Sequence, residues 1–113
     1  MSALWFSLPV AVLVATTAPV AAVELDLPGE AQRISASYLC EGARELDIEF
    51  INVGTNSLAI MDWDGQKVVM ANVLSGSGAR YAGGQYEFWD KGGNATLTDL
   101  RSDDTNGIAC KQK

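Results

Sequence analysis

The sequence contains no histidine. That absence removes whole classes of chemistry. There is no Ser-His-Asp or Cys-His nucleophile pair, no imidazole general base and no His-ligated metal. Cysteine is nearly absent as well. Cys40 and Cys110 are the only two, and their wide spacing rules out a CxxC redox motif. Positive charge is short: Lys plus Arg number 8 against 14 Asp plus Glu, for a net charge of -6 and a sequence pI near 4.4. Nucleic acid is therefore a poor partner, because phosphate contacts need Lys and Arg, whereas a basic protein would suit the surface. With 113 residues there is room for one domain only. No internal repeat, linker or low-complexity segment divides it.

Charge is unevenly placed along the chain. Residues 1–23 carry no charged side chain, and Glu24 is the first. Leu4-Trp5-Phe6 and Val10 to Ala15 form an apolar run broken by Ser7 and Pro9, and Val20-Ala21-Ala22 supplies the small residues read by a signal peptidase. Residues 1–22 read as a secretory signal cleaved after Ala22, leaving a mature domain over 23–113. The alternative is a retained inner-membrane anchor, since about 20 apolar residues span a bilayer. Pro9, Pro19 and the A-x-A-like end argue against it. No cysteine lies near the cleavage point, so no lipid anchor is expected. In an exported domain, two cysteines are most simply one disulfide, Cys40–Cys110, closing a long loop.

The mature part reads as all-β. Leu46, Ile48 and Phe50 alternate with Glu45, Asp47 and Glu49, the period of a strand with one buried face. Ile34, Ala36, Tyr38 and Cys40 alternate in the same way, as do Tyr86 and Phe88, and Ala95 and Leu97. No stretch keeps helical periodicity over three turns. Turn chemistry recurs at Gly54-Thr55-Asn56, Asp62 to Gly65, Ser75 to Gly78, Gly83-Gly84, Lys91-Gly92-Gly93 and Asp103 to Gly107. These turns predict seven or eight short strands in an antiparallel barrel or sandwich, and closure into a barrel would remove exposed edges.

Catalytic patterns are thin. Asp62 and Asp64 sit in a stretch that favours a hairpin turn. Asp103 to Gly107 lacks the ligand spacing and terminal Glu of a calcium loop. Ser75 or Ser77 with Lys91 could form a nucleophile and base only in a desolvated pocket that nothing in the sequence supplies. Asn94-Ala95-Thr96 fits a glycosylation acceptor that matters only in a eukaryotic secretory pathway. No pattern calls for a cofactor or a metal. One stretch stands out. Over residues 74–92, two glycine-rich turns flank a pair of short strands, with the lone cation Lys91 in the second turn.

The run Ser75-Gly76-Ser77-Gly78-Ala79-Arg80-Tyr81, followed by Phe88-Trp89-Asp90-Lys91-Gly92, closely resembles the signature of the periplasmic and membrane-bound inhibitors of c-type lysozyme, the MliC/PliC family. The resemblance extends more loosely over residues 38–110. It implies an eight-stranded antiparallel β-barrel, a bacterial envelope location, no catalytic activity and a c-type lysozyme as partner. Family members insert a Ser from the first motif and a Lys from the second into the lysozyme cleft. The matching positions here are Ser77, which directly precedes Gly-Ala-Arg-Tyr, and Lys91. Ser75, Gly78, Arg80 and Tyr81 complete the matched loop as further contact candidates, and Trp89 in the second motif can be read as another. Read structurally instead, Tyr81 and Trp89 pack the barrel and Arg80 braces the loop. Many family members begin with a lipidated Cys; its absence here points to a soluble periplasmic form. The competing expectation is a periplasmic β-barrel that binds a ligand or braces the envelope without inhibiting anything.

Overall fold

The computed structural model describes residues 24–113, so the expected signal segment 1–22 lies outside the described residues. Eight strands follow in order: β1 Gln32–Cys40, β2 Arg44–Val53, β3 Asn56–Trp63, β4 Gln66–Val73, β5 Ala79–Gly83, β6 Tyr86–Lys91, β7 Asn94–Asp99 and β8 Ile108–Gln112. Each pairs antiparallel with its neighbours in sequence, and β8 pairs back onto β1 to close a barrel. All six expected turns fall at junctions between strands, several of them overlapping a strand end by one or two residues. The seventh connection is a short 3-10 turn at Glu41–Ala43. It carries a single glycine and no Asn, Asp or Pro, so its composition does not mark it as a turn. At Asp64-Gly65 both residues have positive φ, 51° and 72°, as the tight hairpin connection expected for Asp-Gly requires.

The alternating residues point where their period predicts. Leu46, Ile48, Phe88, Ala95 and Leu97 are buried in the barrel. Tyr38, Leu46, Met61, Met70 and Phe88 fill its centre, as expected of a narrow barrel packed by its own side chains. Tyr38 and Phe88 meet edge to face with ring centroids 5.2 Å apart, a favoured aromatic geometry. Ile34 departs from its pattern and is 53% exposed. Strand β8 covers only Tyr38, Leu39 and Cys40 of β1, so the first half of β1 runs past the seam and leaves Ile34 without an opposing wall.

That short seam is where the cysteines sit. Cys40 and Cys110 are direct cross-strand partners in the β1–β8 pairing and form the disulfide, 70 residues apart in sequence. Strand β1 pairs with β2 along its whole length but with β8 through three residues only. The bridge therefore staples one of the two shortest pairings of the barrel, the other being β4 with β5, and in the chain-entropy picture a loop of that size stabilises by roughly 4 kcal/mol.

One polar contact reaches into the core. The Tyr38 hydroxyl donates to Asp90 Oδ2 at 2.7 Å. Burial raises the Tyr38 hydroxyl's pKa well above its usual value, and the hydrogen bond to Asp90 and that carboxylate's charge raise it further. Tyr81 and Tyr86 are raised as well, chiefly by burial.

Two outcomes follow. Replacing both cysteines with Ala should lower stability by about 2–5 kcal/mol, measured as a fall in Tm, while the oxidised protein should show no alkylatable thiol; an unchanged Tm would mean the seam holds without its bridge. The tyrosines set the alkaline limit. A phenol whose folded-state pKa is raised stays protonated in the fold while the unfolded chain ionises, so stability is full below the unfolded value of 10.0 and falls as pH rises past it. Tyr38→Phe should flatten that decline, read as urea midpoints between neutral pH and pH about 11.

Candidate functional site

The two matched loops are brought together by one hairpin. Strands β5 and β6 join through Gly84-Gln85 in a register that places Ala79 opposite Asp90. Continuing the pairing by one residue sets Gly78 against Lys91. The contact is tight: a Cβ on Gly78 would lie 2.3 Å from the Asp90 carbonyl oxygen and 2.9 Å from Lys91 Cγ, and its φ is +67°. Only glycine fits, on both steric and conformational grounds. The loop before β5 and the turn after β6 thus form one continuous surface at one end of the barrel.

Each loop is held from within. Ser75 is half-buried and donates its hydroxyl to the Gly78 carbonyl at 3.1 Å. Asn72 Nδ2 donates to the Arg80 carbonyl at 3.1 Å, tying the two feet of the loop together. Ser77 is exposed, and its hydroxyl makes no side-chain hydrogen bond among the described residues. Its backbone carbonyl accepts a hydrogen bond from Trp89 Nε1 at 2.8 Å. Leu74, at the start of the loop, is 93% exposed.

The second turn is fixed through Asp90. While Oδ2 accepts from Tyr38, Oδ1 accepts from the Gly93 backbone N–H at 2.8 Å. The Gly93 carbonyl in turn accepts from the Gln112 N–H at 2.8 Å. Both glycines of the turn have positive φ, 67° and 91°. Asp90 therefore directs its carboxylate to the core and the turn, not to its neighbour Lys91. Arg33, Arg44, Lys67, Arg80 and Lys113 each face a carboxylate, whereas Lys91, like Arg101 and Lys111, makes no ion pair among the described residues. Its Nζ lies 4.5 Å from the centroid of the Trp89 ring.

The remaining candidates divide by strand face. Tyr81 pairs with Phe88 on the inner face; it is 7% exposed, with its ring against Phe50 at 5.3 Å. Trp89 corrects the expectation that it packs the barrel. The same register that sends Phe88 inward sends Trp89, opposite Arg80, to the outside. Arg80 lies over that ring at 5.6 Å from its centroid and reaches toward Glu87 at 3.9 Å. Asp90 and Asn72 are site residues that sequence reasoning misses, and for Trp89 the outward face favours its reading as a contact residue over its reading as packing. The spacing from Asp90 to Gly93 is a usable signal, since a carboxylate often caps a backbone N–H two or three residues on. The partnership with Tyr38 is not, because it spans 52 residues. Among the described residues no group of His, Cys, Asp or Glu is arranged to hold a metal ion. The stretch Ser102 to Asn106 is a turn closed on itself, with the Asp104 N–H donating to Ser102 Oγ and the Asn106 N–H to Asp104 Oδ1.

Comparison with known proteins places the chain in a family. Residues 38–106 match MliC, described as the membrane-bound lysozyme-inhibitor of c-type lysozyme. The chain is 44% identical over 94 residues to the membrane-bound lysozyme inhibitor of C-type lysozyme of Pseudomonas aeruginosa, covering 79% of this chain and 74% of that protein. It is 44% identical over 63 residues to the protein of the same description in Cupriavidus necator, covering 56% of this chain and 50% of that one. Its fold resembles that of Pseudomonas aeruginosa MliC in a crystal structure of the complex with hen egg white lysozyme, with a TM-score of 0.71 and 38% identity over 85% of this chain and 98% of that one. The match spans both loops and the strands that carry them, and the chain belongs to the family of MliC lysozyme inhibitors.

Proposed function

We propose that this protein is an inhibitor of c-type lysozyme, not an enzyme, and that it acts by placing Ser77 and Lys91 in the lysozyme active-site cleft. The observation that carries the proposal is the juxtaposition of two exposed side chains on adjacent turns, one a free hydroxyl and the other a cation with no ion pair among the described residues. Family membership and the lysozyme complex of the Pseudomonas aeruginosa relative support the partner.

The chemistry is complementary. Lysozyme works with two carboxyl groups flanking the scissile bond, one kept protonated as the acid and one ionised. An ammonium delivered between them favours the ionised form of both and so disables the acid. The Ser77 hydroxyl can donate to a carboxylate and occupy the place of a sugar hydroxyl. Lysine suits the task as a compact charge with three donors on a flexible stem. A ligand-binding role for the barrel interior has less support, because Tyr38, Leu46, Met61, Met70 and Phe88 fill it.

An envelope location agrees with the family's description. We take residues 1–22 as the export signal and the domain over 23–113 as the periplasmic inhibitor.

The direct test is a lysozyme activity assay with the mature protein and two variants. Lys91→Ala should weaken binding by about 2–5 kcal/mol, the range for loss of one member of a buried charge pair. Ser77→Ala should cost about 1.5–3 kcal/mol, as for a hydrogen bond to a charged group. Both side chains are exposed, Ser77 in a loop and Lys91 at the end of β6, so Tm should stay at the parent value. If Lys91→Ala inhibits like the parent, insertion of the lysine is not the mechanism.

Association should also depend on salt. A net charge of -6 attracts a basic partner over the Debye length, about 10 Å at 0.1 M salt. The on-rate measured by stopped flow should fall as salt rises, with a smaller change in off-rate. An on-rate flat across salt would assign the acidic surface to solubility alone.

A further inference from the structure

We infer that Trp89 is the positioning residue that locks Ser77 and Lys91 into one binding geometry. The inference deepens the lysozyme reading above and rests on it for its binding arm, but not for its structural arm. Three features of one side chain converge. The indole N–H donates to the Ser77 carbonyl at 2.8 Å. The indole face carries the Lys91 ammonium 4.5 Å from its centroid. The Arg80 guanidinium lies 5.6 Å from the same centroid. Trp89 is on the outer face of the barrel, where an aromatic ring gains little from core burial. Its placement is explained by what it holds.

The two functional side chains need such a tether. Ser77 sits in a stretch without regular strand pairing between β4 and β5, and its side chain is fixed only if its backbone is. Lys91 has a long stem with several rotamers and no ion-pair partner among the described residues to choose one. A carboxylate would hold it more firmly, but would also neutralise the charge it must present. An aromatic face attracts the ammonium without neutralising it and releases it at small cost. The indole N–H and the indole face act on different loops, so one residue couples them.

That division predicts a selective pattern. Trp89→Phe keeps a ring for Lys91 and deletes the N–H, and should weaken lysozyme binding about fivefold to tenfold. In its background Ser77→Ala should lose most of its effect, while Lys91→Ala keeps its own. Trp89→Leu deletes both and should weaken binding about thirtyfold, with both effects blunted. A residue needed only for folding would lower Tm and give additive losses at both positions.

The structural arm uses the free protein. Backbone relaxation by NMR should show residues 75–78 ordered in the parent and mobile in Trp89→Phe, with order parameters falling toward about 0.6, and residues 91–93 unchanged in that variant. Additive double-variant losses, or loop order parameters equal to the parent in both Trp89 variants, would overturn the inference. Absence of lysozyme binding by the parent would overturn the proposed function, and the relaxation data would still decide whether the indole positions the loops.

Discussion

The pairing of β5 with β6 is the constraint on which the rest of this surface depends. Strand β5 is five residues long and is gripped at both ends by close backbone approach. At Gly83 a Cβ would lie 2.1 Å from the Val69 carbonyl oxygen of β4, and at Gly78 one would lie 2.3 Å from the Asp90 carbonyl oxygen. Neither site has room for any side chain, so β5 sits between its neighbours in one register. That register decides three things together. It sends Phe88 and Tyr81 into the core, it turns Trp89 and Arg80 outward, and it lays the Ser77 loop against the Lys91 turn. A slip of one residue would exchange the two faces and bury the residues that the surface presents.

Much of this arrangement is legible in local sequence pattern, and the parts that are not share a cause. Strand identity follows from period-two alternation, which is local: Leu46, Ile48 and Phe50 announce a buried face within five residues. Turns rich in Gly, Asn and Asp are equally local. Glu41–Ala43 carries one such mark only, Gly42 at a φ of 77°, which is too little to announce a turn by composition. Ile34 has the right period and the wrong environment, since its exposure depends on where β8 stops. The choice of Ser77 over Ser75 rests on its place in the motif, and the geometry adds a physical difference, because the Ser75 hydroxyl is turned back onto its own loop. Asp90 is legible as a motif letter but not as an actor, and Trp89 as a contact or packing residue with the choice left open. Their roles follow from the face each occupies, which needs the register.

Asp90 resolves an apparent contradiction in placing the presented cation beside an acid. A free carboxylate next to Lys91 would compete with any carboxylate on a partner. Here both oxygens are engaged, one by a core phenol and one by the turn's own N–H. The charge remains, but its hydrogen-bonding capacity is directed inward, and the same contacts fasten the turn to the barrel. The core and the turn therefore share a strut: the phenol that closes the centre of the barrel also anchors the residue preceding the lysine.

Charge then acts on two length scales with opposite signs. At long range an acidic surface would draw in a basic protein and repel acidic ones. At contact, the same acidity would repel the carboxylates lining a glycosidase cleft, and like charges brought together cost several kcal/mol. In the proposed mechanism the lysine would reverse the local sign where it matters, provided that it arrives extended and not folded onto a neighbouring acid. Ordering a lysine side chain costs up to about 2 kcal/mol in lost rotamer freedom. A side chain already resting on an indole face has met part of that cost before the partner arrives, and preorganisation of this kind raises affinity without adding any contact. On this reasoning a half-buried, outward-facing tryptophan beside the lysine would do more for binding than a second cation. The second cation would add charge to a surface whose long-range attraction depends on being acidic, while leaving the first lysine as disordered as before.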